Sequence, residues 1–137
     1  SPGTMTFDSA LVLGVGSALD IELNGGVQTI GGGVNDLLTG ITDLTLDGTV
    51  DISEDSTLFA GNAVDGDRWV FIEYSGTLTD NGLEIGTLPT LDSGLLAEID
   101  TSVGGQVAFL ITAVPEPSSA LLLALGGAGL LIRRKRI

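Results

Sequence analysis

Two stretches of this chain alternate apolar and polar side chains, and that alternation restricts the folds open to it. In Ala18–Leu23, ALDIEL, the residues Leu19, Ile21 and Leu23 are separated by Asp20 and Glu22. In Asp43–Ile52, DLTLDGTVDI, one phase holds Leu44, Leu46, Val50 and Ile52, the other holds Thr45, Asp47, Thr49 and Asp51, and Gly48 allows a bend. A period of two places one set on a buried sheet face and the other in solvent, whereas a helix needs an apolar stripe recurring every three to four residues. Upstream, Met5, Phe7, Leu11 and Leu13 share an odd-numbered phase, with a turn expected at Asp8 and Ser9.

The stretches also superimpose. Leu11 and Leu13 fall on Leu44 and Leu46 at an offset of 33 residues, and Leu19 and Ile21 fall on Val50 and Ile52 at an offset of 31. Repetition of that size predicts the stacked rungs of a short β-solenoid, a parallel β-helix-like body in which each rung buries its apolar face against the next. Parallel contact between the Leu11–Leu23 and Leu44–Ile52 regions is then expected. A small β-sandwich is the alternative, with antiparallel contact.

The second half differs. WVFIEY, Trp69–Tyr74, carries apolar residues on both faces, as a covered, central strand does. Further strands are expected at Leu83–Ile85, Leu95–Ile99 and Gln106–Thr112, with Pro89 in a loop and one helical turn at Asn35–Leu38. Eighteen of the chain's 21 glycines punctuate these segments, so the fold class expected is all-β, in one domain, since 137 residues suffice for a single core.

Charge is divided unevenly. The chain holds 18 acidic and five basic side chains, net −13. Every acidic residue but Glu116 precedes residue 115, and every basic residue but Arg68 lies in Arg133–Arg136, which leaves the body at −16. Such a body repels nucleic-acid phosphates, so no nucleic-acid partner is expected. The absence of both Cys and His removes disulfides, thiolate nucleophiles and Ser-His-Asp or Cys-His catalysis together. The first residues, Ser1, Pro2 and Gly3, form no apolar targeting run, so for an exported chain the signal peptide is expected to have been removed ahead of them.

Candidate sites in the body are weak. The acidic loops Asp47–Asp55 and Asn62–Asp67 hold oxygen ligands of the type calcium uses, but neither has EF-hand spacing nor the repeating nonamer of calcium-binding β-rolls. Solvated turns and Asx caps are the preferred reading, with no metal site and no cofactor assigned. Glu73, Glu84, Asp92 and Glu98 could be nominated for two-carboxylate hydrolysis, yet nothing places a pair at a working separation, and no catalytic residue is assigned. Trp69 and Tyr74 could present a sugar platform, although their surroundings favour core packing.

The C-terminus is sharper. Ala120–Ile132 is uninterrupted by polar side chains, follows Pro115 and Pro117, and precedes Arg133, Arg134, Lys135 and Arg136. As a helix that run would be roughly 20 Å long, short for a membrane span. Snorkelling of the basic cluster recovers some length, and Gly126, Gly127 and Gly129 suit a membrane helix better than a soluble one. A single hydrophobic C-terminal helix, starting near Ser118, with the body outside the membrane and the basic end on its cytoplasmic side, is therefore expected beyond the body. The division expected is an acidic β-rich extracellular domain over 1–113 and a sorting and anchoring segment over 114–137.

With Val114, Pro115, Glu116 and Pro117 ahead of an apolar helix and a terminal basic cluster, the tail resembles that of the PEP-CTERM class of exported bacterial proteins. The resemblance covers about 24 residues, in which three elements occur in the required order. It implies recognition by exosortase, a membrane-embedded transpeptidase-like enzyme of mostly Gram-negative bacteria that make exopolysaccharide. Pro115, Glu116 and Pro117 would then be the recognition element, and Arg133, Arg134, Lys135 and Arg136 the stop signal. The chain would be a substrate and not an enzyme. It would be anchored transiently in the inner membrane, then act as a structural protein of the envelope, surface or exopolysaccharide, with extracellular polysaccharide as a further candidate partner. A carbohydrate-binding module is the alternative. The body also resembles, less specifically, the β-rich repeat regions of autotransporter-like surface proteins.

Overall fold

The computed structural model describes residues 1–116. It holds eleven strands: β1 Thr4–Thr6, β2 Leu11–Val12, β3 Ala18–Leu23, β4 Leu37–Ile41, β5 Leu44–Leu46, β6 Thr49–Glu54, β7 Arg68–Tyr74, β8 Leu78–Asp80, β9 Glu84–Ile85, β10 Leu95–Asp100 and β11 Gln106–Ala113. They form three sheets, ordered β1-β4-β7-β11-β10, β2-β5-β8 and β3-β6-β9. The first nine strands enter the sheets in rotation, so each of three passes of the chain contributes one strand to every sheet. All pairs among these nine are parallel.

The offsets expected from the repeat are the observed registers. Leu11 stands beside Leu44, and Leu19, Ile21 and Leu23 stand beside Val50, Ile52 and Glu54. The contact between these regions is parallel, which removes the antiparallel alternative for them. A third pass extends both ladders, with Leu78 beside Leu44 and Ile85 beside Val50.

One contiguous core draws on all three sheets. Ile21, Leu23, Leu44, Leu46, Val50 and Ile52 are buried in it, and Leu19 packs against it half-buried. The period of two therefore sorts these residues as expected. Met5 does not follow its phase: it is 60% exposed and lines an open cavity of about 270 Å³ with Leu19, Ile21, Leu37 and Leu38. Among the described residues strand β1 has a partner only on its β4 side, and none of them adds a further strand at that end of the sheet.

Asn35–Leu38 is not a helical turn. Leu37 and Leu38 begin β4, and Asn35 is buried at the end of the loop between β3 and β4. Its amide nitrogen donates to the carbonyls of Val27 and Thr29 at 2.8 and 2.7 Å, and its side-chain oxygen accepts from the Asn24 amide at 2.6 Å. A buried amide so completely satisfied fixes the loop that leads into β4, and the turn falls earlier, where the Val34 and Asn35 amides donate to the Gly31 carbonyl at 3.2 and 3.3 Å.

Strand β7 is central, between β4 and β11, and Trp69, Val70, Phe71 and Ile72 are all buried. After β9 the chain changes mode: β10 and β11 add to the first sheet as an antiparallel pair, with β11 next to β7. This places β11, the last strand before the tail, between two partners.

Candidate functional site

The acidic residues are where the body and the expected sites meet. Several of their carboxylates cap backbone N–H groups of a neighbouring pass. Asp36 accepts from the Gly3 amide at 2.6 Å, Asp43 from the Thr77 amide at 2.7 Å, and Asp51 from the Thr87 amide. In the two loops weighed as calcium sites, Glu54 accepts from the Phe59 amide, Asp65 from that of Ala113 and Asp67 from that of Val64. Among the described residues no group of three or more acidic side chains converges as metal ligands would. The carboxylates nominated for hydrolysis are dispersed: Asp92 caps the Gly61 amide, Glu73 accepts from the Thr39 hydroxyl, and Glu84 and Glu98 are exposed on β9 and β10. Trp69 is 1% exposed, and its indole N–H donates to the carbonyls of Asn24 and Val27, so it is core and not a sugar platform. Tyr74 is half-buried.

Arg68, the body's one basic side chain, ties together the three strands that lead to the tail. From β7 its Nε reaches Asp100 of β10 at 2.6 Å, and its Nη1 reaches Gln106 of β11 at 2.8 Å. Hydrogen bonding from the Ser102 side chain, and then from the Arg68 guanidinium, lowers the Asp100 pKa from 3.8 to about 2. A carboxyl with a depressed folded-state pKa contributes stability that is complete above its unfolded value and is lost as pH falls through the folded one. Acid titration of unfolding should therefore show uptake of up to one proton on unfolding between about pH 4 and pH 2, and Asp100→Asn should remove that component. An unchanged pH dependence in the variant would contradict the assignment.

The end of β11 completes the site. Ala113 is the last strand residue, the Val114 amide still donates to the Gly94 carbonyl at 2.8 Å, and Val114, Pro115 and Glu116 are exposed. Of the expected sorting residues, the described structure thus displays Val114, Pro115 and Glu116 on the surface directly after a core strand. Pro117, Arg133, Arg134, Lys135, Arg136 and the expected C-terminal helix lie outside the described residues. Among the described residues no helix is long and apolar enough to cross a membrane.

The described residues thus form an all-β body, built largely of parallel passes, that ends on a surface-displayed Pro-Glu segment. Residues 113–136 match the PEP-CTERM protein-sorting motif. The chain is also 44% identical over 108 residues to the adhesin BmaC autotransporter of Brucella suis biovar 1 (strain 1330), an alignment covering 79% of this chain and 3% of the adhesin. This chain thus corresponds to only a small part of that much longer relative. No solved structure matches. The described chain is thus a β-rich body, similar to a stretch of an adhesin, that runs directly into a PEP-CTERM protein-sorting motif.

Proposed function

We propose that the body over residues 1–113 is a short β-solenoid acting as a structural or adhesive element outside the cell, and that residues 114–137 are a removable sorting segment. The rotation of strands through three parallel sheets supports the solenoid reading, and similarity to a stretch of an adhesin supports a contact role at the surface or in exopolysaccharide. In this reading Val114, Pro115, Glu116 and Pro117 are recognised by an exosortase-type enzyme. The apolar run holds the chain transiently in the inner membrane, and Arg133, Arg134, Lys135 and Arg136 keep the C-terminus on the cytoplasmic side. The single observation that carries the proposal is the position of the sorting match, which begins at Ala113, where the last core strand ends.

Localisation and intact mass of protein recovered from envelope and matrix test it. The parent chain is expected to be shortened and released outward in a host with the processing enzyme. Replacing Pro115, Glu116 and Pro117 together should abolish shortening while leaving the chain in the membrane fraction. Neutralising the four basic residues should disturb orientation and retention instead. A chain ended at Val114 should stay folded, since none of the described core lies beyond it. If the parent is never shortened while the chain ended at Val114 unfolds, the tail belongs to the fold and the proposal fails.

A further inference from the structure

Strand β11 is held on both sides as far as the motif. On one side the Ile111 amide donates to the Asp67 carbonyl at 2.9 Å, the Gly66 amide donates to the Ile111 carbonyl at 2.9 Å, and the Ala113 amide donates to Oδ1 of Asp65 at 2.8 Å. On the other side β10 pairs Leu96 with Thr112 and Leu95 with Ala113, and the Gly94 carbonyl accepts from the Val114 amide. Residue 115 is proline and has no N–H to offer. The hydrogen-bonded body and the sorting motif therefore abut at Val114 without a linker.

We propose that the Asp65 carboxylate and the Gly94 carbonyl latch the end of β11, withholding residues up to Val114 from the processing enzyme so that cleavage falls C-terminal to Val114. The proposal rests on the reading that the tail is processed, and it assigns Asp65 as a positioning residue for that reaction. Enzymes that act on peptide chains take their substrates as extended segments whose backbone groups are free to pair. The backbone of β11 is already paired with β7 and the 64–67 loop on one side and with β10 on the other, and Phe109 and Ile111 are buried in the core. Presenting residues upstream of Val114 to an enzyme would require peeling these side chains from the core. Glu116 has no such restraint among the described residues and is exposed. The reaction breaks one peptide C–N bond: the acyl carbon stays with the body and passes to water or an amine acceptor, whose proton leaves on the new amine of the tail. All of β11 then stays with the body, and processing does not disturb its core.

Two measurements on the full chain decide the matter. Intact mass of the product from a host with the processing enzyme should place the mature C-terminus at Val114 or later. A C-terminus before Val114 overturns the latch. In the second, the detergent-solubilised chain is exposed to a protease of broad specificity. Trimming of the parent should stop at or after Val114, and Asp65→Ala should raise the rate of trimming into residues 111–114 about tenfold, the effect of losing one charge-assisted hydrogen bond on local opening. Asp65→Asn keeps an acceptor oxygen and should restore most of the protection. Trimming of Asp65→Ala at the parental rate overturns the latch. If the host leaves the parent uncut while the protease results come out as expected, the sorting reading fails and the latch stands.

Discussion

Replacing Phe109 with Ala should destabilise the body by about 3–5 kcal/mol, through lost transfer free energy and the cavity left behind. Phe109 lies on β11 and is fully buried. Its ring meets Phe59 edge-on at 5.5 Å between centroids and lies 6.2 Å from Trp69, while Phe59 and Trp69 are 4.8 Å apart. These rings come from a loop and two strands separated widely in sequence, so no one of them can shift into the vacancy without leaving its other partners. Aromatic pairs in such tilted and edge-on geometries contribute about 0.5–1.5 kcal/mol beyond area burial. Against a total stability of about 5–15 kcal/mol for a typical domain, the loss brings the variant near unfolding. Phe109→Leu, which keeps most of the volume, should cost appreciably less. Trp69 is the chain's single tryptophan and reports directly on this cluster, so denaturant titration followed by its fluorescence is the measurement. A loss below about 1 kcal/mol, the range of a half-exposed site, would contradict the packing described. The consequence reaches the tail, because β11 positions residues 113–116.

What could be read in advance followed from local alternation. Strands β3, β5 and β6 are half-covered, so their inward residues recur every second position, and two copies of the pattern sufficed to find the registers of Leu11 with Leu44 and Leu19 with Val50. Strand β4 escaped because Leu37 and Leu38 are both buried, which breaks alternation, and Gly40 interrupts the run. In the third pass β7 and β9 were legible as strands but not as a further repeat, because β8 and β9 are only three and two residues long and β7, covered on both faces, shows no period. The acidic residues were legible as turn-formers and local Asx caps, but not as caps on a neighbouring pass. Asp43 serves Thr77 and Asp51 serves Thr87, partners 34 and 36 residues away, and only the stacking of passes brings them together. One signal was present: a Gly-Thr pair at 76–77 and again at 86–87, each one repeat length beyond the aspartate that caps it. The sorting segment was the opposite case. Its meaning lies in contiguous residues, so it was legible without any fold, whereas its abutment to β11 depended on hydrogen bonds from the Ala113 and Val114 amides to Asp65 and Gly94.

Gly40→Ala should cost about 2–5 kcal/mol, combining a left-handed backbone with overpacking against a neighbouring strand. Gly40 has φ of +72° and sits where the register of β4 against β7 shifts between Leu38 and Ile41. Such a shift inserts extra backbone into one strand and turns it locally. On the β1 side, the Phe7 amide donates to the Thr39 carbonyl at 2.8 Å, which draws the two chains together beside Gly40. A methyl group there would collide with the Phe7 carbonyl oxygen and meet the Thr6 side chain at 3.1 Å. The Phe7 carbonyl is backbone and cannot rotate away, so relief requires moving β1 off β4. Gly16 separates the two contributions. Its φ is +81°, yet nothing lies within 4 Å of the position a Cβ would take, so Gly16→Ala should show only the conformational cost, about 1–2 kcal/mol. Denaturant midpoints of the two variants, measured with the same slope, give the comparison. Equal losses would mean that Phe7 yields freely and that β1 is not held against β4. A markedly larger loss at Gly40 would mean that contact between successive passes is tight enough for a single methyl group to wedge them apart.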